Sequence, residues 1–272
     1  MMPRISVLMG IYNCADTLPE AIDCILAQTF TDWELILCDD GSVDDTVSVA
    51  EEYRKQYPNQ IILIKNDKNM GLNYTLNHCL SHARGEFVAR MDGDDRCDPT
   101  RFEKELQALE NHPDIALVST EMTYFDETGT WGRSHAKAFP QVRDFISGSP
   151  FCHAPCMMRR EALRSVGGYT DDIKYLRVED YELWVKLYAA GYLGMNLLEP
   201  LYHMRDDRDA YARRKFRYRI NEARVICKAV RLLKLPVWAY GRALRPILVG
   251  LLPAGIYKIL HKSNREVKKN GA

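Results

Sequence analysis

The stretch Glu86-Phe-Val-Ala-Arg-Met-Asp-Gly-Asp-Asp95 decides how the chain is read. Phe87 to Arg90 has the length and apolarity of a short buried strand. It runs into Asp92, Asp94 and Asp95, with Gly93 between the first two acids. Burying an unpaired carboxylate is costly, and clustered carboxylates repel one another. Such a cluster either stays in a solvated turn, for which Asp-Gly is common chemistry, or gathers a cation. An oxygen-rich cluster suits a hard divalent ion, Mg²⁺ or Mn²⁺, which shares its shell with substrate phosphates. The turn alone leaves both readings open, and its neighbours decide between them.

Upstream, Ile5 to Ile11 is a continuous apolar run, as in a strand covered on both faces. Asn13 and Asp16 are cap-type residues, and Leu18, Ala21, Ile22, Ile25 and Leu26 then recur at helical spacing. Trp33 to Cys38 is a second strand ending at Asp39-Asp40-Gly41-Ser42. Asp44 or Asp45 opens a helix through about Tyr57, and Ile61 to Ile64 is a third strand. Asn69-Met70-Gly71 leads into a helix closing near Ala83. Strand and helix alternate four times up to the acidic turn, which predicts an α/β fold with a parallel, Rossmann-like sheet flanked by helices. In such sheets ligands bind beyond the carboxyl ends of the strands. Two of those ends carry paired acids. A G-x-G-x-x-G fingerprint and a P-loop are both missing, which excludes the common dinucleotide and P-loop sites.

Downstream the pattern loosens. Pro99 to Asn111 reads as a helix and Ile115 to Ser119 as a fifth strand, followed by short β-like pieces and turns over 120–158. Arg160 to Val166 is a short helix. Glu179 to Ala190 is a stronger one, with Leu183, Trp184, Leu187 and Tyr188 on one face and Gly191 as its stop. Tyr192 to His203 reads as one or two strands.

The 272 residues, 46% of them hydrophobic, allow one or two domains. Eight scattered cysteines without a C-x-x-C pair suit a reduced cytosolic protein and make a zinc site a poor fit. The N-terminus reads as a first strand and not as a signal peptide. A net charge of zero hides an asymmetry: residues 210–272 carry +14 and the remainder −14.

Read in order, five motifs resemble the family 2 glycosyltransferases of the GT-A fold. They are Ile11-Tyr12-Asn13, Asp39-Asp40-Gly41-Ser42-Val43-Asp44-Asp45-Thr46, Asn69-Met70-Gly71-Leu72-Asn73, Asp92-Gly93-Asp94-Asp95, and Glu179-Asp180-Tyr181-Glu182-Leu183-Trp184. The resemblance spans roughly 4–205, and Asp45 is an extra acid relative to the family pattern. It implies a GT-A domain over 1–209, divided into a nucleotide-sugar half (1–98) and an acceptor half (99–209), with a basic helical tail over 210–272.

The resemblance also implies roles. A nucleotide-sugar donor, UDP-linked by expectation, would lie against Tyr12, Asn13, Asp39, Asp40, Asn69, Gly71, Arg90 and Asp92. Uracil N3–H is a donor that a strand-two carboxylate accepts. Asp94 would ligate Mn²⁺ or Mg²⁺, with Asp92, Asp95 and His203 as further candidates, and Arg205 would hold the diphosphate. Inverting transfer needs a carboxylate base opposite the leaving group. Asp180 is that candidate and Glu179 its alternate, although acids at a helix start are favoured by the helix dipole in any case. His153 and Trp184 fall on the acceptor side.

The tail has helical spacing from Tyr211 to Lys234 with nine Lys/Arg, then a Pro-broken apolar stretch to Leu260 with Trp238, Tyr240 and Tyr257 as amphipathic anchors. Its longest uncharged run, Pro246 to Tyr257, is 12 residues, short of the ~20 that span a bilayer. Two readings stand: an interfacial segment over 211–260 on an anionic membrane, or a helical cap on the catalytic domain. No nucleic-acid module accompanies the basic residues. The expectation is a hexosyltransferase acting at the inner face of the cytoplasmic membrane. Its acceptor would be a glycan or lipid-linked saccharide of cell-surface polysaccharide assembly. A nucleotidyltransferase would want a Gly-rich, Lys/Arg-bearing loop after strand one, and a non-catalytic sugar- or lipid-binding module would lack the base or the metal acid.

Overall fold

The computed structural model describes residues 2–206 and 215–251. Its first half is four parallel strands: β1 (Ile5–Ile11), β2 (Trp33–Asp39), β3 (Ile61–Lys65) and β4 (Phe87–Arg90). β1 sits between β2 and β4, so their carboxyl ends lie side by side, with Ile11 opposite Asp39 and Leu8 opposite Arg90. β2 and β4 are buried throughout, as the apolar runs require of strands covered on both faces.

Helices α1 (Leu18–Leu26), α2 (Thr46–Gln56) and α3 (Leu72–His82) alternate with these strands. Leu18, Ala21, Ile22 and Ile25 of α1 join Val7, Met9, Leu35 and Leu37 in one core layer. Leu76, Cys79 and Leu80 of α3 join Leu8, Ile36 and Val88 in the other. Alternate strand residues thus feed opposite faces.

Beyond β4 the sheet becomes mixed. β5 (Arg96–Cys97), α4 (Arg101–Asn111), β6 (Ile115–Asp126), β7 (Gly129–Arg133), β8 (Met157–Arg159), α5 (Arg160–Ser165), α6 (Glu179–Ala189) and β9 (Leu193–Arg205) complete it. The strand order is β3-β2-β1-β4-β8-β6-β9-β5, with β7 on β6. β8 runs antiparallel to both β4 and β6, so parallel pairing is unbroken only across the first half. Two strands are longer than the sequence pattern indicates. β6 continues to Asp126, and β9 is one 13-residue strand. They support each other in parallel from Ile115 opposite Leu193 to Phe125 opposite Arg205, and register shifts near Glu121 absorb Pro200.

The basic segment starts with α7 (Phe216–Leu232), which is not peripheral. Its Ala223, Val225, Ile226 and Ala229 lie in the same core as Leu183, Trp184 and Leu187 of α6. Of the two readings of the tail, α7 takes the capping one. A 3-10 turn (Val237–Ala243) and α8 (Leu244–Gly250) follow. The junction at 209, the start of the expected helix at Tyr211 and the anchor expected at Tyr257 fall outside the described residues. No helix among the described residues is long and apolar enough to cross a membrane.

Candidate active site

The ends of β1 and β2 are cross-tied. Asn13 takes φ +49, a conformation Asn tolerates, and locks its neighbours from there. Its N–H donates to Ser42 Oγ (3.0 Å) and its side-chain oxygen accepts from Val43 N–H (2.9 Å). Tyr12 beside it stays 48% exposed. The buried Asp39 carboxylate accepts from the N–H groups of Gly41 and Ser42. Asp40 accepts from Asn66 Nδ2 (2.8 Å), Met70 N–H (2.8 Å) and Gly71 N–H (2.9 Å). Both Asp40 oxygens are therefore committed to holding the 66–71 loop against β2. A Cβ on Gly41, itself at φ +78, would lie 2.8 Å from Asn69 N, so only glycine lets that loop approach. Tyr12, Asn13, Asp39, Asp40, Asn69 and Gly71 thus gather at one sheet edge, and Asp39 is the strand-two acid held only by its own turn.

The acidic turn separates its three carboxylates by environment. Asp92 is held bidentately by the buried Arg90, at 2.8 and 2.6 Å. Burial opposes the Arg90 charge most strongly, but Asp92 and the other groups around it together outweigh burial and the guanidinium stays ionised. Asp95 is 2% exposed, accepting from Tyr202 O–H (2.8 Å) and Arg205 N–H (2.7 Å). It ties the turn to β9 through both carboxylate oxygens. Asp94 is exposed and makes no ion pair among the described residues. Partial burial and the nearby Asp92 charge raise its pKa. A carboxylate whose ionisation is opposed by a like charge is a fitting site for a cation. Among the described residues no three His, Cys, Asp or Glu side chains converge on a point. Mg²⁺ and Mn²⁺ usually take one or two carboxylates and complete their shell with phosphate and water, so Asp94 with Asp92 fits them.

Behind the turn lies a buried brace. Arg101 and Glu105 are both 0% exposed and ion-paired at 3.3 Å. Arg101 also donates to the Arg90 carbonyl (2.8 Å). Burial pushes Glu105 up to about 8 despite the neighbouring guanidinium.

On the other side, α6 begins at Glu179-Asp180, both half-buried. Burial, and then the Glu179 charge, push Asp180 up to about 6. Burial also raises Glu179, whose Oε2 has no hydrogen-bond partner among the described residues. Arg90 acts on both acids in the opposite sense. Ser149 Oγ lies 3.5 Å from the Asp180 carboxylate. His153 pairs with Tyr169 O–H (3.0 Å), and burial followed by the Arg90 charge keeps it neutral, well below its usual range. Trp184 is 0% exposed and packs edge-on against His153 and Phe151. It packs behind His153 in the core.

Sequence reasoning missed how α6 is aimed. Asn221 of α7, 3% exposed, donates to the carbonyls of Ile173 (3.1 Å) and Leu176 (3.0 Å). Those carbonyls belong to the turn that reaches Arg177 at φ +70 just before Glu179. Lys228 of α7 pairs with the fully buried Glu182, one turn after the acids. Only the mixed apolar and polar face of α7 hinted at this.

A cavity of about 460 Å³ adjoins the turn, lined in part by Arg96, Phe125, His203 and Arg205. The Arg96 and Arg205 guanidinium carbons lie 4.4 and 4.7 Å from the Phe125 ring centre, and both side chains pair with Glu20 of α1. Arg205 Nε donates to the Asp94 carbonyl (3.1 Å), and His203 Nδ1 pairs with Thr123 Oγ1 (2.7 Å).

The chain has relatives in sequence and in fold. Residues 6–167 match Glycosyl transferase family 2, and 87–260 match Glycosyl transferase family group 2. EpsE of Bacillus subtilis (strain 168), named a glycosyltransferase, is 43% identical over 99% of this chain and 97% of its own length. The amylovoran biosynthesis glycosyltransferase AmsE of Erwinia amylovora is 31% identical over 77% of this chain and 79% of its own. The Escherichia coli UDP-Gal:alpha-D-GlcNAc-diphosphoundecaprenol beta-1,3-galactosyltransferase is 31% identical over 81% of each chain. Among solved structures, S. aureus TarS in complex with UDP superposes with a TM-score of 0.68 at 18% identity, covering 93% of this chain and 76% of TarS. The Pyrobaculum calidifontis mannosyltransferase PcManGT, in complex with GDP-Man and Mn²⁺, gives 0.67 at 20% identity, covering 97% and 80%. The fold is the one these glycosyltransferases share. The chain belongs to the family 2 glycosyltransferases and is a glycosyltransferase enzyme.

Proposed function

We propose an inverting, metal-dependent hexosyl transfer from a nucleoside-diphosphate sugar, most simply a UDP-sugar, to a glycan or lipid-linked saccharide. The observation that carries this reading is a pair of acids, Asp94 and Asp180, each raised by burial and by a neighbouring carboxylate and each lowered by the one charge of Arg90. Asp94 is exposed beside Asp92, which Arg90 holds, and Asp180 is a half-buried carboxylate pushed up to about 6. Tyr12 offers a ring for the base and Asp39 an acceptor for its N3–H. Asp94, with Asp92, would hold Mn²⁺ or Mg²⁺, which would neutralise the departing diphosphate. Arg205 stands beside Asp94 as a phosphate fork.

Asp180 takes the proton from the acceptor hydroxyl as its oxygen bonds to the anomeric carbon and the bond to the diphosphate oxygen breaks. Above pH 6 the carboxylate is mostly ionised, so the base is ready at neutral pH. Glu179 raises its basicity through like-charge repulsion. His153, kept neutral, shapes the acceptor side.

The role in polysaccharide assembly is supported by AmsE, named for amylovoran biosynthesis. The lipid-linked acceptor is supported by the galactosyltransferase, named for a diphosphoundecaprenol substrate. UDP and Mn²⁺ in the two solved relatives favour the donor and ion proposed here. The surface after α7 suits such an acceptor. Val237, Trp238, Leu244, Leu248 and Leu251 are 59–80% exposed, interspersed with Arg242 and Arg245. Apolar side chains among cations fit the inner, anionic face of the cytoplasmic membrane.

A thermal-shift screen of nucleotide sugars with and without Mn²⁺ tests the reading. It predicts a UDP-sugar shift that needs the metal. Stabilisation by nucleoside triphosphates alone would favour nucleotidyl transfer.

A further inference from the structure

We propose that Cys24 and Cys97 form an oxidation site that closes into a disulfide when the protein meets a hydroperoxide. Their sulfurs, on α1 and β5, lie 3.4 Å apart although 73 residues separate them in sequence. A disulfide is about 2.05 Å long, so the sulfurs must approach by only roughly 1.4 Å.

The frame around them is already rigid. Gln28, 3% exposed, donates from one amide nitrogen to the Cys24 carbonyl (3.1 Å), Cys97 Sγ (3.3 Å) and the Asp98 carbonyl (2.8 Å). One turn before Cys24, Glu20 pairs with Arg96, the neighbour of Cys97, at 2.7 Å. Closure would therefore add a covalent bond to a seam that is already held.

Access distinguishes this pair. Cys24 is half-buried and open to a small oxidant, whereas Cys97 is 5% exposed. Its hydrogen bond with Cys97, and more weakly the charge of Arg101, hold the Cys24 thiol below its ordinary range, which favours the nucleophilic thiolate. Cys38 and Cys79 also interact, but both are 0% exposed inside the sheet core, where a peroxide has no path.

The chemistry balances in two steps. The Cys24 thiolate attacks one peroxide oxygen, an S–O bond forms, the O–O bond breaks and the hydroxide released takes a proton to leave as water. Cys24 is now a sulfenic acid, oxidised by two electrons, and the peroxide is reduced. Cys97 sulfur then attacks Cys24 sulfur, the S–S bond forms, the S–O bond breaks, and the second oxygen leaves as water with the Cys97 proton. The product closes a loop containing β2 to β4 and the acidic turn. Restricting that loop in the unfolded chain raises stability.

The test treats the full chain with hydrogen peroxide, alkylates the remaining thiols and maps the digest without reductant. Wild type is compared with Cys24→Ser and Cys97→Ser. The proposal predicts a Cys24–Cys97 cross-linked peptide as the first product, the loss of two thiols, and a rise in Tm reversed by dithiothreitol and missing in both variants. It is overturned if Cys24 proceeds to sulfinic acid while Cys97 remains alkylatable, or if another cysteine pair closes first. Mapping of wild type alone decides this even where a serine variant folds poorly.

Discussion

Arg90 grips Asp92 through two hydrogen bonds, Nη1 to Oδ2 at 2.8 Å and Nη2 to Oδ1 at 2.6 Å, while the same charge lowers Asp180 and Glu179. One buried cation therefore acts on the acidic turn and on the acids that open α6 together.

Replacing that cation has a signed consequence. In Arg90→Gln the lowering influence on Asp180 is gone, so its pKa moves above about 6 and the acidic limb of the kcat–pH profile shifts to higher pH. Asp92 loses its partner as well, and breaking a partly buried pair costs stability, about 3 kcal/mol or more for a fully buried one. A pH–rate profile beside a melting curve checks both effects. An unmoved limb in a folded protein would contradict the link.

Asp94→Ala removes the exposed carboxylate of the turn and leaves Asp95 tied to Tyr202 and Arg205. The fold is expected to survive with Tm nearly unchanged, and Mn²⁺ is expected to stop enhancing donor affinity. Calorimetric titration of UDP with and without the metal measures this. Metal-enhanced binding of normal strength would remove Asp94 from the site.

Asn221→Ala deletes the amide that holds the Ile173 and Leu176 carbonyls. Leaving them unsatisfied costs ~1–3 kcal/mol. Because the turn they belong to aims α6, kcat is expected to fall more than donor affinity does. A proportional loss of UDP binding would make Asn221 a general stabiliser and not a positioning residue.

For the surface after α7, Leu244→Ser with Leu248→Ser removes two exposed apolar side chains at 59% and 63% exposure. Liposomes containing anionic lipid are expected to retain less of this variant, with turnover on a soluble acceptor unchanged. Point changes are required, since cutting the chain at 209 would strip α7 from the core. Equal sedimentation of the two proteins would exclude this face as the anchor.

The first half of the fold was legible because each strand is an apolar run flanked by helical spacing. Phe87–Arg90 was read to the residue. The second half was harder. β6 and β9 stabilise each other across nearly eighty residues, and no local pattern announces that pairing. Within the site, the sequence showed which carboxylates gather at the strand ends but not how their environments differ. Asp40 and Asp95 look like Asp39 and Asp94 in the chain. Only packing reveals that the first two spend their oxygens on backbone N–H groups of other segments and on Tyr202. The hold of Asn221 on the turn before Glu179 was equally hidden, because it joins residues 45 and 48 positions apart.

The most direct test of the account is the pH dependence of single-turnover transfer in wild type and Asp180→Asn. With Asp180 as the proposed base, transfer needs its ionised form, so the wild-type rate should rise with pH through about 6 and level off above it. In Asp180→Asn that limb should vanish and the rate should drop at least ~10²-fold, with donor affinity kept. Turnover in Asp180→Asn with the wild-type rate and the wild-type limb would show that Asp180 is not the base.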